Sequence, residues 1–266
     1  MINYQNPSNK AKYKISVITV VFNMTSELER TIKSVISQSF QDIEFIIIDG
    51  GSSTKTLDVL KKYEENINFY SSEKDEGIYH AMNKGAKLAK GEWLNFMNAG
   101  DVFNDKQILK KIFQNEEISS NFIIGHTKVR YPEFSKILEV GDIKNWWKGS
   151  QFIHQSTLIR KSYQLKNLYN INSKIGGDFE FFYDAIDNNE TFFLHDEIIA
   201  IFDAGGISDK KRIRALFSNL IFLLKRNLSL KVILYYCLKI SIEIFKLLTK
   251  TILPSVITKK IQKIKQ

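Results

Sequence analysis

Residues 91–101 read Gly91-Glu92-Trp93-Leu94-Asn95-Phe96-Met97-Asn98-Ala99-Gly100-Asp101. Trp93, Leu94, Phe96 and Met97 predict a buried strand, and its abrupt end in small and polar residues leaves the Asp101 carboxylate at the carboxyl edge of a sheet. That edge is where open α/β sheets bind ligands. A strand delivering one hard oxygen ligand into a crevice suits a divalent cation carrying phosphates, because Mg2+ or Mn2+ takes one or two carboxylates and leaves its other positions to water and phosphate oxygens. The expectation is a nucleotide-handling enzyme. The plainer alternative makes residues 98–101 only a loop with a helix N-cap.

Upstream, Ile15-Ser16-Val17-Ile18-Thr19-Val20-Val21-Phe22 is rich in β-branched residues and reads as a buried parallel strand closed by Asn23. Thr25 or Ser26 then caps a helix through about Gln38, with Leu28, Ile32, Val35 and Ile36 at helical spacing. A second buried strand from Ile43 to Ile48 stops at Asp49-Gly50-Gly51-Ser52. Paired glycines let the backbone approach a ligand closely, and Asp49 is placed to accept hydrogen bonds from a base or ribose. Ser52 or Ser53 caps the next helix, to about Tyr63; a short strand around residues 67–70 leads to Ser72-Glu73-Lys74-Asp75-Glu76-Gly77, and a helix follows from Ile78 to about Lys90. This alternation predicts a doubly wound, mostly parallel α/β sheet with right-handed crossovers. Neither G-x-G-x-x-G after the first strand nor G-x-x-x-x-G-K-[ST] is present, which disfavours Rossmann and P-loop chemistry.

Downstream, the pattern predicts a helix over 105–118, a strand over 122–129, a looser stretch with Trp146 and Trp147, and a strand over 152–159 carrying His154 and Gln155. Paired tryptophans suit a sugar-binding wall as well as a core. Asp178 sits at the entry to an aromatic helix, where an N-cap role would account for it. A strand over 198–202 precedes the turn 203–208.

The 266 residues allow one large domain, or a domain with an appendage. Of the net charge of +9, residues 210–266 carry +13, fourteen Lys and Arg against Glu243, so residues 1–209 carry −4. Basicity confined to a tail argues against nucleic-acid binding, which wants a basic folded face. The single cysteine, Cys237, excludes an intrachain disulfide. A polar leader over 1–13 is neither signal peptide nor membrane anchor, and a cytosolic compartment is the default.

The blocks Thr19-Val20-Val21-Phe22-Asn23, Ile48-Asp49-Gly50-Gly51-Ser52, Asp75-Glu76-Gly77-Ile78-Tyr79 with Ala81-Met82-Asn83-Lys84-Gly85, and Asn98-Ala99-Gly100-Asp101, in this order, resemble the family 2 glycosyltransferases and their GT-A fold. The resemblance covers about residues 14–208, and the Gly-Ile-Tyr to Met-Asn-Lys-Gly block looks like the bacterial branch that builds O-antigen, capsule and exopolysaccharide. It implies inverting transfer from a nucleoside diphosphate sugar, usually a UDP-sugar. By position Val20, Phe22 and Asp49 would hold the uridine, Asp75 would lie near base or ribose, Lys84 would meet the diphosphate, Asn98 would join the donor side, and Asp101 would ligate Mn2+ or Mg2+. The family commonly shows Asp-x-Asp or Asp-x-Asp-Asp where this chain has residues 98–101, so only the last acid is present and metal independence stays open. Asp178 matches the catalytic base, with Gly177 in place of the usual preceding acid. His154 and Gln155 resemble a pair frequent in this branch and would line the diphosphate or acceptor side, with Trp147 as an acceptor wall.

Residues 209–266 form a basic amphipathic tail. Lysines 225, 231, 239, 246 and 250 interrupt every apolar run before it reaches the roughly 20 residues of a membrane span. Lys239, Glu243, Lys246 and Lys250 share one helical face, and Leu238, Ile240, Ile242, Ile244, Phe245, Leu247 and Leu248 form a broad apolar one. Such a helix suits the surface of an anionic membrane, or packing on protein. The expectation is an enzyme on the inner face of the cell membrane acting on a lipid-linked (polyprenyl-diphosphate) saccharide. The rivals are a nucleotidyltransferase and an inactive membrane-docked scaffold.

Overall fold

A computed structural model describes residues 2–7, 10–114, 118–205, 211–226 and 229–252, the side chains of 250–252 excepted. Residues 206–208 of the turn expected over 203–208, its boundary with the tail and the side chain of Lys250 on the lysine face lie outside what is described. The chain divides into two units, one of residues 1–146 and 150–204, the other of 147–149 and 205–266.

The first unit is built on a mixed sheet. Its parallel centre comprises β2 (Tyr13–Val21), β3 (Ile43–Asp49), β4 (Phe69–Ser72) and β5 (Gly91–Phe96), in the order β4-β3-β2-β5. The register Ile15↔Ile43 to Val21↔Asp49 on one side and Tyr13↔Gly91 to Ile18↔Phe96 on the other puts the carboxyl ends of β2, β3 and β5 along one edge. β-branched runs buried on both sides explain why these strands pair parallel. The sheet continues through β9 (Thr157–Arg160), β7 (Phe122–Arg130), β10 (Phe192–Asp203) and β6 (Val102–Phe103), with β8 (Ser135–Leu138) paired to β7.

Alternation along the strands assigns the helices to opposite faces. Ile15, Val17, Phe45, Ile47 and Trp93 share a core with Leu28, Ile32 and Val35 of α1 (Thr25–Ile36) and Val59 and Leu60 of α2 (Thr54–Lys62). Ile18 and Ile48 point the other way, onto α3 (Ile78–Leu88), where a Cβ on Gly85 would come within 2.5 Å of Ile18 Cγ2. Each fully buried aliphatic side chain here contributes about 1.5–3 kcal/mol relative to exposure. Behind the sheet, α6 (Gly177–Asp187) packs its aromatic face, Phe179 and Phe182 meeting Trp146 and Phe122. Two short helices, α4 (Ile108–Phe113) and α5 (Lys161–Lys166), complete this unit.

Several expectations are corrected. The leader contains a strand, β1 (Ile2–Gln5), antiparallel to β4, with Tyr4 stacked on Tyr70 at 5.1 Å. The expected strand over 152–159 is a 3-10 turn at His154–Ser156 followed by β9, because Asn95 Nδ2 donates to the carbonyls of both Gln155 and Thr157 and holds the chain bent. The helix expected over 105–118 is only α4. Thr25 and Ser26 do not cap α1, since Met24 occupies the N-cap.

In the second unit α7 (Arg212–Arg226) packs on α8 (Leu230–Ile252), burying Leu223, Tyr236 and Ile240. Trp147 sits here, its ring 5.3 Å from that of Tyr235. Among the described residues no helix is long and apolar enough to cross a membrane.

Close backbone approach between β2 and β5 has a direct test. A Cβ on Gly91 would lie 2.4 Å from Ser16 N and 2.6 Å from Ile15 C, main-chain atoms that cannot turn aside. Gly91→Ala is expected to destabilise the fold by about 2–3 kcal/mol in a urea titration, whereas Gly141→Ala, which meets only the tip of the Gln151 side chain at 2.5 Å, is expected to leave the midpoint near wild type.

Candidate active site

The crevice forms where β2, β3 and β5 end. At the end of β3, Asp49 is fully buried; its carboxylate accepts from Ser52 N at 3.0 Å, from the Ser52 hydroxyl, and from Ser72 Oγ at 2.5 Å. These bonds fold residues 50–53 back on β2, where Asn23 N donates to Ser52 Oγ at 2.7 Å and Ser53 N donates to Asn23 Oδ1 at 3.0 Å. Asn23 pays for this turn with a left-handed φ of 53°. Asp49 thus shapes the loop through these bonds, its carboxylate engaged by Ser52 and Ser72. Val20 is buried in β2, while Phe22 is 61% exposed, its ring beside Gly50. A flat apolar face left in solvent at a sheet's carboxyl edge is suited to stacking on a planar ring.

The loop before α3 carries a second cluster. Asp75 is almost wholly buried; Oδ1 lies 3.0 Å from His80 Nδ1, and Oδ2 has no hydrogen-bond partner. Burial pushes its carboxyl up from the ordinary value, against the opposing pull of Lys84 and His80. A turn further on, Lys84 pairs with Glu73, and that hydrogen bond holds Glu73 below the usual carboxylate range. The ammonium expected to meet a diphosphate thus has an internal partner, which a phosphate would have to displace.

Residues 98–101 turn tightly over α1. Gly100 adopts φ of +103°, a conformation that glycine takes readily. Thr31 Oγ1 donates to the Asp101 carbonyl at 2.8 Å and accepts from Gly100 N at 2.9 Å, and Arg30 bridges the Gly100 carbonyl to Asp203, 2.5 Å away. No motif in the sequence singles out Thr31, Arg30 or Asp203. The Asp101 carboxylate accepts from Gln155 Nε2 at 2.8 Å. Burial raises its carboxyl to about 6, in spite of Gln155, His154 and Arg30, which pull it down.

His154 and Gln155 tie this turn to α6. His154 Nε2 lies 3.1 Å from Asn98 Nδ2, and Nδ1 lies 3.5 Å from Asp178 Oδ2. Gly176, left-handed at φ of 87°, is the N-cap of α6, so Asp178 is not a capping residue but the second residue of the helix. Its other oxygen accepts from Tyr79 Oη at 3.1 Å. Burial alone would raise the Asp178 carboxyl; hydrogen bonding and charge from His154, the Phe179 N–H and Tyr79 outweigh it, and the group is held below its ordinary value. The side chain keeps one-third of its surface exposed. An ionised, oriented carboxylate open to a ligand is equipped to accept a proton.

Asn98, Asp101, His154, Gln155 and Asp178 are thus joined in one set, and two separate pairs, Asp75 with His80 and Glu73 with Lys84, link the loop before α3 to that helix. The two tryptophans belong to different units. Trp146 is core, its indole N–H donating to the Phe179 carbonyl at 3.0 Å, and Trp147 packs on Tyr235 in the other unit.

Comparison with known proteins decides the family. The sequence profile "Glycosyl transferase family 2" matches residues 16–187. The chain belongs to this family. It is 26% identical over 202 residues, 73% of this chain and 78% of the relative, to a PGL/p-HBAD biosynthesis glycosyltransferase of Mycobacterium bovis. It is 35% identical over 117 residues, 42% of this chain and 36% of the relative, to the poly(ribitol-phosphate) beta-N-acetylglucosaminyltransferase TarP of Staphylococcus aureus. The fold is that of S. aureus TarS 1-349 in complex with UDP-GlcNAc, with a TM-score of 0.62 at 17% identity over 81% of this chain and 68% of that one. The mannosyltransferase PcManGT of Pyrobaculum calidifontis, in complex with GDP-Man and Mn2+, gives a TM-score of 0.62 at 13% identity over 84% and 66%. The family 2 glycosyltransferase therefore has the GT-A architecture: an α/β fold on one largely parallel sheet.

Among the described residues no three His, Cys, Asp or Glu side chains converge as a metal cluster. The donor set around Asp101 nevertheless fits a hard cation shared with phosphates: one carboxylate, with Asn98 Oδ1 and Gln155 Oε1 buried and without hydrogen-bond partners nearby. A raised Asp101 carboxyl means that the native state binds a proton more tightly than the unfolded chain between pH about 4 and 6, so native stability falls as pH rises through that window. Asp101→Asn is accordingly expected to melt a few degrees above wild type at pH about 7.5, with the gap closing near pH 4. Equal midpoints at the higher pH would show that the carboxylate is not strained.

Proposed function

We propose that the enzyme is an inverting glycosyltransferase that moves a sugar from a UDP-sugar to a lipid-linked, polyprenyl-diphosphate saccharide in bacterial surface polysaccharide synthesis. The observation that carries the reading is Asp178, ionised, partly exposed and tied through His154 to Asn98 on the turn that ends in Asp101. An inactive scaffold has no use for a carboxylate maintained in this state. A nucleotidyltransferase would want more than one metal carboxylate, and the single Asp101 disfavours it. TarS, a structural neighbour, is known with UDP and with UDP-GlcNAc, which supports a uridine donor.

In this reading Phe22 and Val20 flank the uracil, Asp49 sets the loop that receives it, and the unpartnered Asp75 Oδ2 accepts from the base or ribose. Lys84 leaves Glu73 to meet the diphosphate, beside Asn98. Asp101, with the amide oxygens of Asn98 and Gln155, would hold Mn2+ or Mg2+, which supplies positive charge to a leaving diphosphate. Asp178 takes the proton of the acceptor hydroxyl as its oxygen attacks the anomeric carbon. The bond from that carbon to the diphosphate oxygen breaks, its electron pair leaving with UDP, and the anomeric configuration inverts. His154 and Gln155 line the acceptor side and hold Asp178 and Asp101 in place.

UDP release is the test, with a panel of UDP-sugars, Mn2+ or EDTA, and a synthetic GlcNAc-diphosphate-lipid acceptor. Acceptor-dependent release is expected with one sugar, and Asp178→Asn is expected to lower kcat about 10²–10⁴-fold. No release with any sugar, together with no thermal shift on adding UDP, would move the assignment to the scaffold.

The tail supports location on the inner membrane surface. Leu230, Leu234, Leu238 and Phe245 leave an apolar stripe of α8 in solvent, each at least 61% exposed, while Tyr236 and Ile240 on the other side are buried. Glu243 is neutralised by Lys246 at 2.7 Å and Arg212 at 3.3 Å, so the helix pair offers anionic lipid no opposing charge there. Leu238→Asp/Phe245→Asp is expected to abolish co-sedimentation with vesicles containing about one-third phosphatidylglycerol, and wild-type binding is expected to weaken in high salt.

A further inference from the structure

The Gly-Ile-Tyr block contains one residue that the donor and acceptor assignments leave unused. Tyr79, in the first turn of α3, is buried, yet its hydroxyl lies against α6. It accepts the N–H of Gly177 at 2.9 Å and donates to Asp178 Oδ1 at 3.1 Å. Gly177 N–H belongs to the first turn of α6 and has no partner within that helix, so the tyrosine satisfies an orphan donor and fixes a carboxylate with one group. The ring fills the space beside Gly177: a Cβ there would meet its Cε2 at 2.7 Å, Cζ at 2.9 Å and Cδ2 at 3.0 Å. From behind, Tyr79 is braced by Tyr169, whose ring centroid lies 5.6 Å away and whose backbone N and O are both clamped by the Asn83 side chain, one turn along α3.

We propose that Tyr79 is the positioning residue of the base, holding the Asp178 carboxylate in one orientation through a hydroxyl shared with the Gly177 amide. The proposal deepens the reading of Asp178 as base and rests on it. It also explains why position 177 is glycine: the tyrosine ring occupies the volume a side chain would need. Burial pushes the Tyr79 phenol far above its ordinary value, so it remains a donor at every working pH and does not compete for the proton. The titratable groups facing Asp178 are His154 from the 3-10 turn, Tyr79 from α3 and Tyr169 from the loop before α6. His154 meets one carboxylate oxygen, and the tyrosine fixes the other.

The test separates this proposal from the reading beneath it. Tyr79→Phe keeps the ring and loses only the hydroxyl. In the full chain, 13C-carboxyl NMR is expected to show Asp178 titrating about one pH unit higher than in wild type, as the loss of one hydrogen bond to a charged group predicts. An unchanged titration overturns the proposal, and this readout requires no turnover. In the UDP-release assay, Tyr79→Phe is expected to lower kcat about tenfold with the donor KM within about twofold of wild type, and to move the acid limb of the kcat/KM profile upward by about one unit. Gly177→Ala, which forces the ring aside, is expected to reproduce the kcat loss with the same KM. Asp178→Asn without loss of turnover would refute the base assignment itself. Asp178→Asn inactive beside Tyr79→Phe with wild-type kcat and pH profile would remove the tyrosine alone.

Discussion

Polar groups at the carboxyl ends of buried strands must find partners below the solvent, and that requirement organises the crevice. Thr19 answers the Met97 carbonyl at 2.7 Å, Asn95 answers the Gln155 and Thr157 carbonyls, and Thr31 answers the turn at residues 98–101. Each links segments far apart in sequence, so the site is assembled by the same bonds that satisfy the sheet. An unmet group here costs about 1–3 kcal/mol. The acceptors left over include Asp75 Oδ2, Asn98 Oδ1 and Gln155 Oε1, all on the segments that line the crevice. These three acceptors present unmet bonding capacity where a donor nucleotide and its cation would bring partners.

The site is sparing with charge. Asp101, on the phosphate side, is a carboxylate that burial makes reluctant to ionise, whereas Asp178 is one that its neighbours keep ionised. The two differ in surroundings more than in depth. Asp101 has one amide donor, while Asp178 has a histidine, a phenol, a backbone N–H and the positive end of α6. Two acids of one residue type are thereby set apart, one carboxyl raised above its ordinary value and the other held below it.

The parallel centre of the sheet was legible in the sequence because β-branched runs at Ile15, Val17, Ile46 and Ile48 admit only strands buried on both faces. The crevice residues were legible by motif order, but their connections were not. Asp49 reads as a ligand from its position at a strand end, and nothing local shows that two serines, one of them 23 residues away, also donate to its oxygens. His154 and Gln155 lie in a run that alternates like a strand; only the pull of Asn95, 60 residues upstream, shows why it bends. Tyr79 carries no signal of its role, since a tyrosine on a helix face is ordinary core until the partner helix is in place. What the sequence concealed is consistently long-range pairing, which local pattern does not encode.

The strand at the start of the chain has a consequence for handling the protein. β4 has a row of main-chain donors and acceptors on its outer side, and β1 covers it residue by residue, Ile2 opposite Ser72 through Gln5 opposite Phe69. Uncovered, that row is a template for pairing with another molecule's strand, the route by which sheets stack into aggregates. Four residues that contribute nothing to chemistry thus serve as a sacrificial selvedge, finishing the fabric where it would otherwise fray onto its neighbours.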